Sequence, residues 1–450
     1  MDLAKIKYIV VLGAGESGTG AALLSDKQGF KTFVSDGGEI KESFRNELIE
    51  QHIDFEEGQH SFDKILSADL IIKSPGIKES ADVMQAVFKK EITVISEIEF
   101  ASYFTQAKII SITGSNGKTT TTMLIYHILK TAGLNVTYGG NIGVSFARRI
   151  LEGSFDYIVL ELSSFQLDYL IAFRSHIAIL LNITPDHLDR YNYSLEEYAL
   201  SKMRISMNQT EDDYFLYDLD DEISMQYINK VSSKGIKLPF TQNQKLEKGS
   251  WLEGEHIKVK INEQFKVDID MNILSLVGKH NRYNSMAAST AACALDIKDD
   301  VLRKSLSSFQ NIEHRLEFIA KIQGKEFIND SKATNLNAVW YALESMNKRV
   351  IWIVGGIDKG NNYNEIMPLV KEKVKGIICL GVDNKKILDA FNDEIEMIFE
   401  TTSMNDAVEI GFRMAIPGEV ILLSPACASF DLFKNYEDRG NQFKNAVKNL

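Results

Sequence analysis

Residues 111–129, "SITGSNGKTTTTMLIYHIL", decide how the chain is expected to fold. The run "AKIISIT" that leads into the loop is short and apolar, which is typical of a buried parallel strand. Residues 119–129 predict a helix that packs on a sheet through the face made of Met123, Leu124, His127 and Ile128. The stretch therefore predicts a strand, a glycine-containing loop and a helix in direct succession.

The loop between this strand and this helix carries the residues of an anion site. Gly114 and Gly117 allow a turn in which several backbone N–H groups converge at the helix N-terminus. Lys118 adds a charge that can reach terminal phosphates, and Thr119 adds a hydroxyl placed for Mg²⁺. The usual phosphate-binding loop has glycine where this chain has Ile112, so an ordinary strand–turn–helix remains the alternative.

Composition limits the class of protein. The chain has 450 residues, which is enough for about three domains of about 150 residues each. A net charge of −12 argues against a nucleic-acid-binding protein. Cys293, Cys379 and Cys427 lack the spacing of a metal site and are expected to be reduced thiols. No apolar stretch is long enough to span a membrane, so we expect a cytoplasmic protein without membrane insertion.

Residues 1–97 predict a Rossmann-like domain. The strand "YIVVL" leads into a turn with Gly13, Gly15 and Gly18, and Asp36 follows the next strand where a ribose-binding acid is expected. These features alone are typical of a nicotinamide oxidoreductase. Glu16 lies within the turn, however, where its carboxylate would repel a pyrophosphate. The segment "KSPGI" after a further strand offers a second ligand-binding edge.

Residues 98–312 predict a central domain of the P-loop ATPase type with a mostly parallel sheet. Two further strands of this domain end in polar loops, which hold Glu161, Ser163, Gln166, Asn182, Thr184, Asp186, His187 and Asp189. Because ligands bind outside the carboxyl ends of parallel strands, these loops are expected to converge on the phosphate loop. Residues 211–275 predict short antiparallel strands, and a helix that carries Asn281 and Asn284 is expected after Gly278.

Residues 313–450 predict a second Rossmann-like domain. Four apolar runs each end in small or polar residues: "KEFINDSKATN", "RVIWIVGGIDKG", "GIICLGV" and "EVILLSPACASFDLF". This pattern indicates another parallel sheet with a ligand-binding edge. The predicted fold class is therefore α/β, with three domains.

The motifs of the three domains occur together and in a fixed order, as "TGSNGKTTT", "GGNIG", "ELSSFQL", "NITPDHLDR", "HRLE", "DSKATN", "GGIDKG" and "LSPACASFDLFKNYEDRG". Over essentially its whole length the chain resembles the Mur ligase family. The combination of "DSKATN" with "SPACASFD" is most similar to the member that adds D-glutamate, and the D-N-P-R signature of the diaminopimelate- or lysine-adding member is absent. The phosphate loop of this family lacks the first glycine, which accounts for Ile112.

The resemblance implies a reaction of peptidoglycan precursor synthesis, and hence a part in cell-wall formation, cell shape and cell division. ATP phosphorylates the carboxylate of UDP-N-acetylmuramoyl-L-alanine, and the amine of D-glutamate then attacks the acyl phosphate, with ADP and phosphate as the other products. ATP and Mg²⁺, with two ions, are the implied cofactors. We expect a monomer.

The resemblance also assigns roles to individual residues. ATP is expected to bind Gly114, Ser115, Asn116, Gly117, Lys118, Thr119, Thr120, Asn284, Arg315 and Asp330. The metal ligands would be Thr119, Glu161, His187 and Lys202, the last as a carbamate. The UDP substrate would contact Glu16, Ser17, Asp36, Gly37, Gly76, Asn141 and Ser163, and D-glutamate would contact Lys332, Thr334, Lys359, Ser429 and Phe433. Lys118, His187, Lys202 and Lys332 would be catalytic. The chain departs from the family at Ser201, where alanine is more usual.

Several of these residues have a simpler structural interpretation when each is taken alone. His187 could be a surface histidine, and Lys202 and Lys359 could be solvated lysines. Asp330 could cap a helix that begins at Ser331, and Phe433 could belong to the core. A nucleotide-dependent switch without bond-forming chemistry is the third functional class, after a ligase and an oxidoreductase.

Overall fold

The computed structural model describes residues 1–186, 188–231, 233–263, 266–276, 278–310 and 313–450. The chain forms two compact units: the first comprises Met1–Leu274 and Tyr283–Ser308, and the second Ser275–Arg282 and Phe309–Leu450. Two sheets lie in the first unit and one in the second. Among the described residues, no helix is long and apolar enough to cross a membrane.

The N-terminal sheet is parallel, with strand order β3-β2-β1-β4-β5. Its strands are β1 Tyr8–Leu12, β2 Lys31–Asp36, β3 Asp54–Glu57, β4 Leu70–Lys73 and β5 Val94–Ser96. The helices are α1 Glu16–Lys27, α2 Glu42–Glu50, α3 Phe62–Ile65, α4 Asp82–Lys89 and α5 Glu97–Ser102, and a 3₁₀ turn spans Leu3–Lys5. Ile9 and Val11 face one apolar cluster while Val10 and Leu12 face another, so β1 is covered on both sides. This explains its unbroken apolar sequence.

The central sheet has nine strands in the order β14-β13-β12-β11-β10-β9-β6-β8-β7. The strands are β6 Lys108–Thr113, β7 Val136–Gly140, β8 Tyr157–Glu161, β9 Ile177–Leu180, β10 Tyr214–Asp218, β11 Ile236–Thr241, β12 Gly249–Glu253, β13 His256–Lys260 and β14 Lys266–Asp270. The helices are α6 Lys118–Thr131, α7 Phe146–Glu152, α8 Ser164–Leu167, α9 Leu195–Met203, α10 Glu222–Tyr227, α11 Lys279–Ala294 and α12 Asp299–Ser308. Short 3₁₀ turns span Leu188–Arg190, Arg204–Ser206 and Met271–Ile273.

The prediction of antiparallel strands over residues 211–275 is partly wrong. Strands β12, β13 and β14 are antiparallel as predicted, but β10 and β11 continue the parallel sheet next to β9. Strand β10 is buried along most of its length, which is the environment of a central parallel strand. The strand has only five residues and is flanked by polar segments, so the sequence pattern did not distinguish a parallel strand from an antiparallel one.

Helix α6 forms as predicted, but its buried face is different. Leu124 and Ile128 are buried, whereas Met123 and His127 are partly exposed, and the His127 ring forms a hydrogen bond with the Ser308 hydroxyl. The buried side instead continues through Ile125. The predicted face was therefore wrong at Met123 and His127, and His127 lies instead on the side of α6 that borders α12.

The C-terminal sheet has the order β15-β16-β20-β17-β18-β19. Its strands are β15 Glu317–Ile322, β16 Lys325–Asn329, β17 Val350–Gly355, β18 Val374–Leu380, β19 Ile398–Thr401 and β20 Val420–Ala426. The helices are α13 Leu336–Glu344, α14 Met367–Lys373, α15 Lys385–Phe391, α16 Met404–Met414 and α17 Tyr436–Lys448, with a 3₁₀ turn at Tyr363–Glu365. The four predicted runs form parallel neighbours, which confirms the prediction; β15 is an added antiparallel edge.

Helix α5 joins the first two sheets through two buried carboxylates. Glu99 accepts hydrogen bonds from the backbone N–H groups of Ile171 and Phe173, each at 2.9 Å. Glu97 accepts one from the Ala147 N–H, and its second oxygen has no hydrogen-bond partner within the described part of the chain. Burial, and to a smaller extent the charge of Glu16, raises the pKa of Glu97 to about 8.

We predict that Glu97 makes stability fall with rising pH. Its pKa is higher in the folded chain than the usual glutamate value of 4.5, so the folded state holds a proton that the unfolded state releases. The stability that this proton provides is complete below pH 4.5 and is lost as the pH rises through about 8. Glu97→Gln keeps the acceptor for Ala147 and removes the titration, so its unfolding free energy, measured by urea denaturation, should decline less over this range.

The exposed helix residue Glu50 provides the matched control, since Glu50→Gln should leave the wild-type pH dependence in place. Equal pH slopes for wild type and Glu97→Gln would contradict the prediction.

Candidate active site

The loop after β6 needs glycine at two positions, because of the backbone conformation and because of the space around it. Gly114 and Gly117 have φ values of +150° and +84°. A Cβ atom on Gly117 would lie 2.5 Å from Oδ1 of Asn284, and one on Gly114 would lie 3.1 Å from Cβ of Leu181. Side chains at either place would be strained and crowded, so the backbone alone approaches whatever binds at the start of α6.

Asn182, which follows β9, holds this loop on the sheet. Its Oδ1 accepts a hydrogen bond from the Asn116 N–H at 2.9 Å, and its Nδ2 donates to the Asn116 carbonyl at 3.1 Å. The Ser115 hydroxyl donates to the Thr184 carbonyl at 2.8 Å. The strand register places Thr113 beside Leu180. The predicted convergence of these loops is therefore confirmed for the described residues.

Two lysine side chains meet at one carbonyl oxygen of the loop. The Gly114 carbonyl accepts hydrogen bonds from Nζ of Lys118 at 2.7 Å and from Nζ of Lys202 at 3.0 Å. Lys202 is buried, and its Nζ lies 4.5 Å from the ring centroid of Tyr198. Burial lowers the pKa of Lys202 far below its usual value, and the charge of Lys118 lowers it further. Lys202 is therefore not the solvated helix lysine of the simpler interpretation.

Ser201, the departure from the family pattern, is part of the support of this helix. Its hydroxyl donates to the Ser164 carbonyl at 3.0 Å and lies 3.3 Å from the hydroxyl of Tyr191. The Tyr191 hydroxyl donates in turn to Asp168 at 2.8 Å. An alanine would lose this hydrogen bond to α8. The serine therefore holds α9 against α8 at the position next to Lys202.

The oxygen groups around the loop are suited to Mg²⁺. Glu161 ends β8, is buried, and accepts a hydrogen bond from Nδ2 of Asn141 at 2.9 Å. Thr119 and Thr120 are buried in the first turn of α6. A carboxylate and a hydroxyl are ligands that Mg²⁺ accepts, whereas the amine of Lys202 is not.

His187, one of the expected metal ligands, lies outside the described residues. Among the residues that are described, no group of three or more His, Cys, Asp and Glu side chains is arranged to hold a metal ion. A complete ligand set would therefore need His187, a modified lysine or the bound nucleotide.

The carboxylates expected at the UDP edge bind parts of the protein itself. Glu16 accepts a hydrogen bond from the Ser145 N–H at 2.9 Å and pairs with Arg148 at 3.1 Å. Asp36 accepts hydrogen bonds from the Ala14 N–H at 2.7 Å and from the N–H of Gly38 at 2.9 Å. Glu16 is thus turned toward Arg148, which answers the objection that its charge would repel a diphosphate.

The remaining residues predicted at this edge are small and accessible. Ser17 lies in the first turn of α1, and Gly37 and Gly76 lie in exposed turns after β2 and β4. Ser163 caps α8 and forms a capping box with Gln166. The contacts of these residues with the UDP substrate stay predictions.

In the second unit, Asp330 follows β16 and is buried. It accepts hydrogen bonds from the Leu316 N–H at 3.2 Å and from the Ser424 hydroxyl at 2.9 Å. Burial raises its pKa to about 7, although the nearby charge of Arg315 opposes the shift. The alternative that Asp330 caps a helix at Ser331 is wrong, because the next helix begins at Leu336 and Asn335 caps it.

The residues expected to bind D-glutamate lie in loops of the second unit but differ in exposure. Lys332 and Thr334 are partly exposed, Lys359 is exposed and Ser429 is buried. Phe433 packs in the apolar core, as its structural interpretation supposed. Nζ of Lys332 lies 5.4 Å from the ring centroid of Tyr436, a residue that the sequence analysis did not single out.

Arg439 is a second residue that the sequence analysis missed. It is 1% exposed, and it donates hydrogen bonds to the hydroxyl and carbonyl of Ser331 at 3.0 and 2.9 Å. It also donates to the Cys427 carbonyl at 3.2 Å. The "RG" at the end of the last motif was the available signal. Arg439 fixes the loops that carry Lys332 and Ser429 against each other.

We predict that Lys118→Ala folds normally and reduces ATP-dependent turnover at least about 100-fold, the scale for the loss of one preorganised charge. Lys118 begins α6 and is the charge that stands closest to the glycine loop. Steady-state kinetics and circular dichroism would measure the two effects. Lys130→Ala, at the exposed end of the same helix, should keep wild-type activity. A folded Lys118→Ala protein with near-normal turnover would remove this lysine from the mechanism.

Comparison with protein-family models gives three matches that cover most of the chain. The MurD N-terminal domain matches residues 8–83, the Mur ligase middle domain residues 112–292, and the glutamate ligase domain of Mur ligases residues 314–427. Solved structures give the same fold. MurC and MurF from Thermotoga maritima each align with a TM-score of 0.62, at 18% and 15% identity, and cover 99% and 100% of this chain and 99% of their own.

Curated relatives are much more similar in sequence. The UDP-N-acetylmuramoylalanine–D-glutamate ligase of Christiangramia forsetii is 53% identical, and the alignment covers 99% of this chain and all of the relative. The enzyme of the same name from Porphyromonas gingivalis is 50% identical with the same coverage, and that from Salinibacter ruber is 38% identical over 98% of this chain and 97% of its own. With all three domains matched in order and the phosphate loop assembled as described, the chain belongs to the Mur ligase family.

Proposed function

We propose that the chain is an ATP-dependent ligase that joins D-glutamate to UDP-N-acetylmuramoyl-L-alanine in peptidoglycan precursor synthesis. The observation that carries this proposal is identity of 50% or more, over the full length, to relatives that bear that name. The glycine loop and Lys118 at the head of α6 supply the triphosphate site that such an enzyme requires.

The chemistry explains why positive charge is concentrated at this loop. The substrate carboxylate must approach the γ-phosphate of ATP, and the two anions repel each other. Lys118 and the N–H groups at the start of α6 would offset that repulsion and would stabilise the charge on the transferred phosphoryl group. The D-glutamate amine then attacks the acyl phosphate carbonyl, and phosphate leaves.

Mg²⁺ would neutralise phosphate charge when it is bound. We propose Thr119, Glu161, His187 and a carbamylated Lys202 as its ligands, with two ions in the loaded enzyme. The support for Thr119 and Glu161 is the oxygen chemistry of their side chains: Thr119 lies in the first turn of α6, and Glu161 ends β8, where it pairs with Ile112 of the neighbouring strand β6.

We propose that Lys332, Thr334, Lys359 and Ser429 recognise D-glutamate. Two cations and two hydroxyls match the two carboxylates and the amine of this substrate. Arg439 supports the proposal indirectly, because it holds the loop of Ser331 against that of Cys427. Phe433 would shape the site from the core side rather than through its exposed surface.

The setting of the reaction follows from its substrates. We propose a cytoplasmic enzyme because ATP is supplied there, and the three cysteines are free and buried, as expected of a reducing compartment. We also propose that the enzyme acts as a monomer, which sedimentation in the presence of substrates would test.

We predict that sustained ADP release from ATP, over many turnovers, requires both UDP-N-acetylmuramoyl-L-alanine and D-glutamate, and that D-alanine is a very poor acceptor. D-Alanine lacks the second carboxylate, so it would leave one of the paired cations unmatched. A coupled assay for ADP, scanned over amino acids, measures this. Equal use of L-lysine or D-alanine would overturn the specificity. Sustained ADP release that needs neither substrate would favour a switch, and turnover of NADH would favour an oxidoreductase.

We predict that Lys202→Ala is folded and nearly inactive, and that formate or acetate restores part of its rate. The lowered pKa of the buried Lys202 leaves a neutral amine that can take up CO₂, and the resulting carbamate replaces the repulsion with Lys118 by attraction. Steady-state rates at increasing formate concentration would show the rescue. Lys202→Glu should recover only partly, because its side chain is shorter. Full activity of Lys202→Ala would end the proposal.

A further inference from the structure

One arginine side chain joins its own segment to two others that each carry a residue expected to contact the UDP substrate. Nη2 of Arg190 donates hydrogen bonds to the carbonyls of Pro75 and Ile77, at 3.2 and 3.1 Å. Its guanidinium carbon lies 4.4 Å from the ring centroid of Phe165. Pro75 and Ile77 flank Gly76 after β4, and Phe165 lies on α8 next to Ser163. Arg190 itself ends the 3₁₀ turn that follows His187 in the sequence.

The hydrogen bond to Pro75 determines which way the next amide points. No peptide bond among the described residues is cis, so the carbonyl of Pro75 and the N–H of Gly76 point in opposite directions across one planar group. Because Arg190 holds the carbonyl, the N–H is directed away from Arg190. Within the described part of the chain this N–H has no hydrogen-bond acceptor, and Gly76 is exposed.

The glycine turn of the N-terminal sheet stands beside this segment. Ser74 donates hydrogen bonds to the carbonyls of Leu12 and Gly13, through its N–H at 2.9 Å and its hydroxyl at 3.2 Å. Gly13 leads into the N-terminus of α1, where backbone N–H groups favour an anion. Nothing lies within 4 Å of the place where a Cβ of Gly76 would stand, so the backbone of this residue is open on that side.

We propose that Arg190 is a positioning residue that orients the Gly76 N–H toward the diphosphate of the UDP substrate. It acts through the Pro75–Gly76 peptide and does not touch the substrate. The inference rests on the proposed function and adds to it a residue that connects the diphosphate edge with the segment after β9. A guanidinium is required because its planar fork reaches two carbonyls while its face packs on Phe165, which a lysine ammonium does not reproduce.

The experiment compares binding of UDP and UMP to wild type, Arg190→Ala and Arg190→Lys by calorimetry. We expect both variants to bind UDP about tenfold more weakly, the scale of hydrogen bonds that involve a charged group, and UMP nearly as well as wild type. Guanidinium ion should restore UDP binding to Arg190→Ala. In the ligation assay, the KM for the UDP substrate should rise while the KM for ATP stays unchanged.

Lys78→Ala provides the matched control, because it removes the exposed pair of Lys78 with Asp189, at 3.8 Å, between the same two segments. This variant should bind UDP as wild type does, since exposed ion pairs contribute little. Normal UDP binding by Arg190→Lys would overturn the proposal, because a positive charge alone would then suffice. An equal loss of UDP and UMP affinity would also overturn it, because it would indicate general damage to the site. If wild type itself binds no UDP substrate, the proposed function fails first.

Discussion

The shared carbonyl of Gly114 is the point on which the rest of the first unit depends. Two basic side chains, Lys118 from α6 and Lys202 from α9, reach this one oxygen only because β6 and β9 are neighbours in register and Asn182 fixes the loop between them. Two lysines so close repel each other, and Lys202 is also buried. The arrangement is favourable when anions arrive, as phosphate groups or as a carbamate. We therefore propose that an otherwise acidic chain, with a net charge of −12, concentrates positive charge here for the phosphates of ATP.

Much of the fold could be predicted because parallel strands buried on both faces have distinctive sequences. Strands β1 and β17 are unbroken apolar runs, and β6 is a buried strand interrupted by Ser111. All three end in glycine or polar loops, and the register of such strands brings those loops to one edge. The sequence did not reveal β10 as a parallel strand, because its apolar pattern is short. The buried face of α6 was predicted wrongly, because its apolar periodicity is interrupted by threonines that are themselves buried. Tertiary contacts, not local sequence, decided both.

The site was predictable to a different degree in its different parts. The glycine loop is a local motif, so Gly114, Gly117 and Lys118 could be placed from the strand–loop–helix pattern, and the family resemblance accounted for Ile112 in place of the first glycine. Arg439 and Tyr436 could not, since they act from a helix about a hundred residues away in sequence from the loop that they support. Spacing along the chain contains no direct information on such contacts, and only the motif "NYEDRG" indicated that the region mattered.

Carboxylates show most clearly why residue type is insufficient to assign a role. Glu16, Glu97, Glu99 and Asp36 are all near strand or helix ends where ligands bind, yet each accepts hydrogen bonds from the protein's own backbone. Glu161 is as buried as Glu97 and Glu99, but it accepts a hydrogen bond from the side chain of Asn141 and lies close enough to Lys202 to affect the pKa of that lysine. A carboxylate whose oxygens are taken by backbone amides organises the edge, whereas for Glu161 we propose a role as metal ligand. By this criterion we expect the proposed UDP edge to bind its ligand mainly through backbone N–H groups, which the side chains around it, Arg190 included, would orient.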